Sequence, residues 1–265
     1  MSANSLFKPS RPAALPRQVD AETLDQLDAD DPRAQRSRRD LRRLHRWMGS
    51  KTLLLRALRT MDTLADLAPM AAQAGPLRVL ELGAGDGSLM LSVARALAPA
   101  WPAVELTLLD RQALVADNTV AHYAELGWIV ARQNRDALDW AASANHALQF
   151  DGQAPRWDLI VANLFVHHFD AATLTRLLAG IAASSDRFVA LEPRRHWLAL
   201  AASHGVGAIG ANAVTREDAV LSVHAGFCGQ EISVCWPAQG EAWQLHEHAA
   251  GLFSHCFVAQ RARHP

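Results

Sequence analysis

The sequence has few cysteines, almost no net charge and no long apolar run. Its three cysteines, Cys228, Cys235 and Cys256, form no CxxC pair, so neither a disulfide framework nor a cysteine zinc site is expected. Twenty-six Lys and Arg residues nearly balance 27 Asp and Glu residues, and the formal net charge is −1. Nucleic-acid-binding domains are usually basic, so this balance disfavours a nucleic-acid partner. Apolar runs of about 18 residues are absent, so no membrane-spanning helix is expected.

The N-terminal part of the chain divides into two segments. Residues 1–20 lack the apolar core of a signal peptide, which predicts a cytoplasmic protein, and their prolines are typical of a flexible lead-in. Residues 21–75 carry apolar side chains at helical spacing and many arginines, which predicts a helical lid. The arginines have two interpretations, a basic patch for an anionic partner or an ordinary solvated helix face.

Residues 76–262 are predicted to form one α/β domain. The predicted strands are Arg78–Leu82, Val104–Leu109, Trp128–Arg132, Leu159–Leu164 and Phe188–Leu191. They alternate with helical segments, which indicates a parallel sheet covered by helices on both faces. Residues 195–229 show no strand pattern and are expected to form a mostly helical insertion. Glu231–Trp236 and Leu252–Gln260 are predicted to close the sheet as an antiparallel pair.

The most informative motif follows the first predicted strand. Residues 79–88 read VLELGAGDGS, with Gly83, Gly85 and Gly87 at alternate positions. Glycines at a strand-to-helix turn allow a tight bend and the close approach of a ligand, although a turn without a ligand would use them too. The spacing differs from the dinucleotide fingerprint, and no Lys-Ser/Thr pair follows as in a P-loop. Glu81, before the first glycine, favours a cationic ligand over a pyrophosphate.

Two aspartates follow the next strands. Asp110 can accept hydrogen bonds from both hydroxyls of a ribose. It could also cap the following helix. Asp136 can accept a hydrogen bond from an adenine amino group or act as a helix cap, and the residues leave these two roles equally open.

Further motifs accompany the glycine loop, in the order LTLLD, RDALDW, WDLIVANLFVHHF and FVALEPRR. In this order and spacing, the sequence resembles the class I S-adenosylmethionine-dependent methyltransferases over roughly residues 77–192. The resemblance implies a Rossmann-like seven-stranded, mostly parallel sheet with a reversed C-terminal hairpin, here preceded by the N-terminal helical lid.

The resemblance also implies roles for single residues. The three glycines would surround the methionine part of S-adenosylmethionine, and Glu81 would lie near its amino group. Asp110 would hold the ribose and Asp136 the adenine amine. Asn163, at the end of the fourth predicted strand, matches the position whose backbone faces the methionine amine and the reacting methyl group.

The residues after Asn163 bear on the methyl acceptor. They lack the Asn/Asp-Pro-Pro-aromatic tetrad of enzymes that methylate adenine or glutamine. The VHHF run instead resembles the His-His segment of small-molecule methyltransferases. His167 and His224 are the predicted catalytic residues, although a lone histidine is often structural. The predicted substrate residues are His168, Glu192 and Trp197, with a salt bridge to Arg194 as the alternative role of Glu192.

The sequence therefore predicts transfer of a methyl group from S-adenosylmethionine to a small organic acceptor, with a phenolic or polyketide-like hydroxyl favoured. Neither a metal ion nor a membrane is expected to take part. One alternative is a methyltransferase for RNA or protein, which only the arginine-rich segment supports. Another is a non-catalytic scaffold that keeps the cofactor fold. The sequence leaves the formation of a homodimer open.

Overall fold

The computed structural model describes residues 15–61, 75–150, 156–237 and 243–262. Seven strands form one sheet in the order β3-β2-β1-β4-β5-β7-β6. The strands are β1 (Leu77–Leu82), β2 (Val104–Asp110), β3 (Trp128–Asn134), β4 (Leu159–Asn163), β5 (Arg187–Pro193), β6 (Trp243–Ala250) and β7 (Ser254–Arg261).

The sheet is mostly parallel and ends in a reversed hairpin. Strands β1 to β5 pair in parallel, whereas β7 runs antiparallel to β5 and β6 runs antiparallel to β7. The predicted Rossmann-like sheet is thus confirmed. Strand order reverses direction between β1 and β4, and ligands of open α/β sheets bind at the carboxyl ends of the strands at such a point.

Helices cover both faces of the sheet and precede it. They are α1 (Thr23–Gln26), α2 (Pro32–Met48), α3 (Ser50–Thr60), α4 (Ser88–Leu97), α5 (Asp117–Ala124), α6 (Ala137–Phe150), α7 (Ala171–Ser184), α8 (Trp197–Gly205), α9 (Ala213–Ala225) and α10 (Glu231–Cys235). Helices α8 and α9 lie within residues 195–229, the segment predicted as a mostly helical insertion. Of the described residues, no helix is both long enough and apolar enough to cross a membrane.

One strand prediction is wrong. The EISVC segment, predicted as the first strand of the closing pair, forms helix α10 instead. The backbone N–H groups of Ile232 and Ser233, in its first turn, donate to the Glu247 carboxylate at 3.0 and 2.8 Å, which satisfies donors that a helix start leaves free. The real first strand is β6, whose sequence WQLHEHAA has few β-branched residues at the edge of the sheet.

The core lies in two layers, one on each face of the sheet. Alternate residues of each strand point to opposite faces, so Val79 and Val161 enter one layer while Leu80 and Ile160 enter the other. The first layer is closed by α3 and α4, through side chains such as Leu54. The second is closed by α6 and α7. Helix α3 therefore joins the N-terminal helices firmly to the domain.

The N-terminal segment is folded onto the domain. Residues 1–14 and 62–74 lie outside the described residues, but residues 15–20, predicted within the flexible lead-in, make specific contacts. Arg17 donates to the backbone oxygens of His167, Phe169 and Ala225 at 3.1, 2.9 and 2.8 Å. Helix α2 begins after Asp31, whose carboxylate accepts from Arg33 N, and Pro32 takes the first helical position.

Candidate functional site

A cavity of about 640 Å³ lies at the carboxyl edge of the sheet. Its floor is made by the residues that follow β1, β2, β3 and β4, and its cover by residues 19–26 and one face of α2. This is the position where the strand order reverses, so the ligand site expected for an open α/β sheet and the cavity coincide.

The glycine loop follows β1 and lines the cavity. Gly83, Gly85 and Gly87 all have positive φ, at 66°, 56° and 72°, where L side chains are strained. A Cβ at Gly83 would lie 2.2 Å from the Phe165 ring, whereas a Cβ at Gly85 would meet nothing within 4 Å. The loop is therefore shaped by backbone conformation and by close contact at Gly83, and it leaves open space at Gly85.

Two buried acceptors in this cavity have no partner. Oε2 of Glu81 and Oδ1 of Asn163 make no hydrogen bond within the part of the chain that the structure describes. Burial raises the pKa of Glu81 well above its usual range, and the negative charges of Asp110 and Asp86 add to this effect. Buried polar atoms are normally hydrogen-bonded, so this pair indicates a site for a ligand with hydrogen-bonding groups. A cationic donor would in addition stabilise the ionised form of Glu81 that burial disfavours.

Asp110 lies at the cavity, as predicted, and also holds the glycine loop. Its Oδ2 accepts from Gly85 N and its Oδ1 from Gln112 N, both at 2.8 Å. A carboxylate has about four lone-pair sites, so both oxygens keep capacity to accept hydrogen bonds from a ligand. The structural role and the predicted binding role of Asp110 are thus compatible.

Asp136 lines the cavity and caps α6. Its Oδ1 accepts from Leu138 N at 2.7 Å, so one of the two roles left open by the sequence is present. The role toward an adenine amine stays a prediction.

Glu192 does not line the cavity. Its fully buried carboxylate accepts from the backbone N–H groups of Phe165, Val166 and His167 at 3.0–3.3 Å. It also lies 2.7 Å from Nδ1 of His167. The salt bridge considered with Arg194 is not formed, since that guanidinium donates to Gly251 O instead. Glu192 therefore positions the loop after β4 and the ring of His167, and the structure does not bring it to the substrate side.

His167 lines the cavity between two carboxylates. Its Nδ1 faces Glu192, and its Nε2 lies 3.3 Å from Oε1 of Glu22 in the N-terminal segment. Burial alone would lower the pKa of His167, but the hydrogen bonds and charges of Glu192 and Glu22 outweigh it and raise the pKa to about 9. Burial would raise the pKa of Glu22, and the contact with His167 lowers it instead. Glu22 also accepts from the Ser222 hydroxyl.

His168 lies beside His167 in the same cavity. The two ring centroids are 4.2 Å apart, and Nδ1 of His168 is 3.5 Å from a carboxylate oxygen of Asp25. Burial lowers the pKa of His168, and the charge of His167 lowers it further. Leu164, four residues before His168 in the same loop, has a φ of 49°, the one positive value of a non-glycine residue in the described ranges. Such strain concentrates at functional sites.

The structure does not bring His224 and Trp197 to the cavity. The backbone oxygen of His224 accepts from Gln18 N at 3.1 Å, and its side chain is not among the lining residues. The Trp197 side chain is 58% exposed on α8. Both residues belong to the insertion, which covers the cavity edge mainly through Ser222.

Several lining residues were missed by the sequence reasoning. Glu22 and Asp25 lie at the N-cap and within the four-residue helix α1, which is too short for a periodic pattern to mark them. Arg38 and Arg42, by contrast, are four residues apart on α2 and so share one helix face. Arg38 donates to Gln112 at 2.7 Å and Arg42 to Asp86 at 2.6 Å, which fixes α2 over the cavity. This four-residue spacing was the feature of the sequence that could have identified the two arginines as residues of one helix face over the site.

No protein-family model matches the sequence, and no curated protein matches it. Solved structures do. The plantazolicin methyltransferase BpumL, in complex with a monoazolic desmethylPZN analog and SAH, has a TM-score of 0.51 and 12% identity, over 88% of this chain and 91% of that chain. An O-methyltransferase family protein from Burkholderia thailandensis has a TM-score of 0.49 and 18% identity, and the match covers 75% of this chain and 57% of that one.

At these identities, the likeness establishes the fold alone, and the first of the two structures carries it. Its coverage includes nearly the whole of both chains, and the strand order with its reversed hairpin agrees with the sheet implied by the sequence resemblance. This chain has the fold of the class I methyltransferases.

Proposed function

We propose that the protein is an S-adenosylmethionine-dependent methyltransferase that acts on a small organic acceptor, with a hydroxyl group as the methylated position. The observation that carries the proposal is the pair of unpartnered buried acceptors, Glu81 Oε2 and Asn163 Oδ1, beside the glycine loop. An ammonium group donates several hydrogen bonds and carries positive charge, so the methionine end of the cofactor satisfies both atoms.

The other residues of the cavity fit the rest of this cofactor. Gly85 leaves open space, and Asp110 keeps acceptor capacity for the two ribose hydroxyls. The Asp136 carboxylate caps α6 and would accept a hydrogen bond from the adenine amine with its remaining lone pairs. The structural neighbour BpumL was solved with SAH, which supports the same choice. When bound, S-adenosylmethionine supplies a methyl group already activated by its sulfonium, so the protein chiefly has to position the acceptor.

The N-terminal segment would exclude water from this reaction. Arg38 and Arg42 attach α2 to the residues that follow β2 and β1, and Arg17 attaches the preceding segment to the loop after β4. A closed cover strengthens electrostatic interactions inside the cavity and prevents hydrolytic side reactions.

The ring of His167 supports a hydroxyl acceptor. A hydroxyl must lose its proton for methylation, and a histidine that takes this proton must itself be neutral. The pKa of His167 is raised to about 9, so we expect turnover to rise as the pH increases toward 9. Glu192 fixes the orientation of this ring in the buried side of the cavity. His224 and Trp197 have no part in the proposal, because neither lines the cavity.

The arginines of α2 give little support to an RNA or protein substrate. Four of them are engaged within the chain, in contacts with Asp31, Gln112, Asp86 and Asp40. The contacts with Gln112 and Asp86 hold the cover in place, and those with Asp31 and Asp40 lie within the helix and its cap. This favours the small-molecule acceptor over the alternative considered from the sequence.

Calorimetry with S-adenosylmethionine and its demethylated product tests the cofactor. We expect both to bind, and Asp110→Asn to weaken binding about 10- to 100-fold, since hydrogen bonds to a charged group contribute about 1.5–3 kcal/mol. Asp117→Asn, on the exposed surface, is the matched control and should bind as the wild type does. Absence of binding at millimolar ligand would contradict the proposal.

Transfer of labelled methyl groups tests the acceptor class. Phenols and polyketide-like enols should be labelled in preference to amines and to RNA of similar concentration. Preferential labelling of RNA or of a protein would assign the enzyme to the other substrate class while leaving the cofactor proposal intact.

A further inference from the structure

Three metal-ligating side chains meet where the N-terminal segment covers the cavity. The ligand atoms of Glu22, His167 and His168 all lie within 4.8 Å of one another, and Oε1 of Glu22 is 3.3 Å from Nε2 of His167. Asp25 adds a carboxylate oxygen 3.5 Å from His168 Nδ1. All four residues line the same cavity.

The contact between Glu22 and His167 requires a positive charge. A neutral imidazole has one N–H and an ionised carboxylate only accepts, so His167 can donate to Glu192 or to Glu22 but not to both. The shorter contact, 2.7 Å, joins Nδ1 to Glu192. Nε2 then presents its lone pair to the Glu22 oxygen unless a proton or a metal ion lies between them.

The surroundings of His167 match those of a metal-bound histidine. Histidines that bind metal ions commonly donate their other ring N–H to a carboxylate, which fixes the tautomer and makes the ligand more basic. Glu192 supplies this carboxylate, and three backbone N–H groups hold it in place. The charges of Glu22, Glu192 and Asp25 exceed that of the nearby Arg17 guanidinium, so the local balance favours a dication.

We propose that Glu22, His167 and His168 form a binding site for a divalent transition-metal ion, of which Zn²⁺ is the type. Two imidazoles and one carboxylate form a ligand set that suits Zn²⁺, and a site with three protein ligands keeps a position for water or substrate. A proton would join Glu22 to His167 alone, whereas a metal ion would also bind the ring of His168, whose ligand atom lies within 4.8 Å of the other two. A metal ion would bind both imidazole rings once the three ligand atoms moved slightly closer together.

All three ligand residues line the cavity, so an ion held there would be within reach of the acceptor and would have a consequence for it. A hydroxyl bound to such an ion would have a lowered pKa and could release its proton to solvent water before the cover closes, while the oxygen would stay on the metal as the nucleophile. His167 is then a ligand and not the base. This consequence rests on the proposed function, whereas the metal site itself does not.

The site depends on the position of the N-terminal segment. Glu22 is supplied by this segment, which Asp218 holds by accepting from Thr23 N and Leu24 N at 2.8 and 3.0 Å. The two histidines lie on the loop after β4 of the domain. A metal ion would therefore join the cover to the domain directly.

Titration of chelator-treated full-length protein with Zn²⁺, followed by calorimetry, tests the proposal. We expect about one ion per chain, and Co²⁺ in its place should give visible absorption bands of a site with nitrogen ligands. Glu22→Gln and His168→Gln should each weaken Zn²⁺ binding at least 10-fold. Glu192→Gln should weaken it about 10- to 100-fold, as loss of a carboxylate behind a ligand histidine does.

Two control variants separate this site from surface binding. His204→Gln, exposed on α8, and Glu105→Gln, exposed on β2, should bind Zn²⁺ as the wild type does. Far-UV circular dichroism checks that each variant is folded, and Glu22→Gln, outside the core, keeps the test valid should a histidine variant unfold. Failure of the wild type to bind Zn²⁺, or equal binding by the Glu22→Gln and control variants, would overturn the proposal.

The same preparations distinguish this proposal from the function above. Binding of S-adenosylmethionine without binding of Zn²⁺ would overturn the metal site alone. Binding of Zn²⁺ without S-adenosylmethionine would support the metal site and contradict the proposed function.

Discussion

Replacement of Glu192 by glutamine would remove the main support of the loop after β4. The side chain is fully buried and accepts from three backbone N–H groups and from the ring of His167. Glutamine has the same shape but offers one acceptor oxygen and one NH₂ donor. In either orientation of the amide, its NH₂ faces an N–H of the protein, at Val166 or at His167.

The expected magnitude follows from these contacts. A buried N–H without an acceptor costs about 1–3 kcal/mol, and the remaining hydrogen bonds lose the strength given by a charged acceptor, about 1 kcal/mol each. Removal of a buried charge offsets part of this loss. We therefore expect Glu192→Gln to lower the free energy of unfolding by about 3 kcal/mol.

Urea unfolding followed by circular dichroism at neutral pH, with metal-free protein, measures this change. Glu105→Gln makes the same chemical change at an exposed position of β2 and should stay within about 0.5 kcal/mol of the wild type. A loss below about 1 kcal/mol for Glu192→Gln, or a loss equal to that of the control, would refute the assigned role of this carboxylate.

Two further predictions concern the glycine loop and α2. Gly83→Ala should destabilise the protein and weaken cofactor binding, because φ is 66° and the new Cβ would lie 2.2 Å from the Phe165 ring. Gly210→Ala, with φ of 81° and open space around its Cβ, is the control that carries only the conformational cost of about 1–2 kcal/mol; thermal melts of equal midpoint would contradict the close contact. Burial lowers the pKa of His45 to about 4 despite the charge of Asp86, so the unfolded chain takes up its proton near pH 6.5 and the folded chain does so only near pH 4. Stability should therefore be fully present above pH 6.5 and be lost as the pH falls through this window, by up to about 3 kcal/mol. His45→Gln should flatten this part of the curve of unfolding free energy against pH, and an unchanged slope would contradict the prediction.

The sequence predicted the parts of the fold whose signals are local. Strands β1 to β5 follow from short β-rich runs between turn residues, and the glycine loop follows from three glycines in five positions. Helix α10 was missed because its sequence is β-rich and its first turn is held by Glu247, which lies far enough along the chain to leave no local trace. The β-rich composition of this segment therefore predicted a strand where the structure has a helix.

The residues of the candidate site were likewise predictable only where a local motif marked them. Glu81, Gly83 and Asp110 belong to a motif, and the structure brings them to one cavity. Glu22 and His167 are 145 residues apart, so their contact follows only from the folding of the N-terminal segment over the sheet. Glu192 lies near the carboxyl end of β5, but the side to which its carboxylate turns depends on the loop after β4.

The contacts of Asp218 have a kinetic consequence. Helix α1 is four residues long and has no capping side chain of its own, and its first N–H groups are satisfied by the carboxylate of Asp218 from α9. So short a helix is not stable by itself, so it forms and dissolves together with its contact to α9. Because this helix belongs to the cover of the cavity, its unfolding would open a path for the proposed cofactor and acceptor. For the proposed methyltransferase we therefore expect product release to be the slow step, with a rapid first turnover followed by a slower steady state.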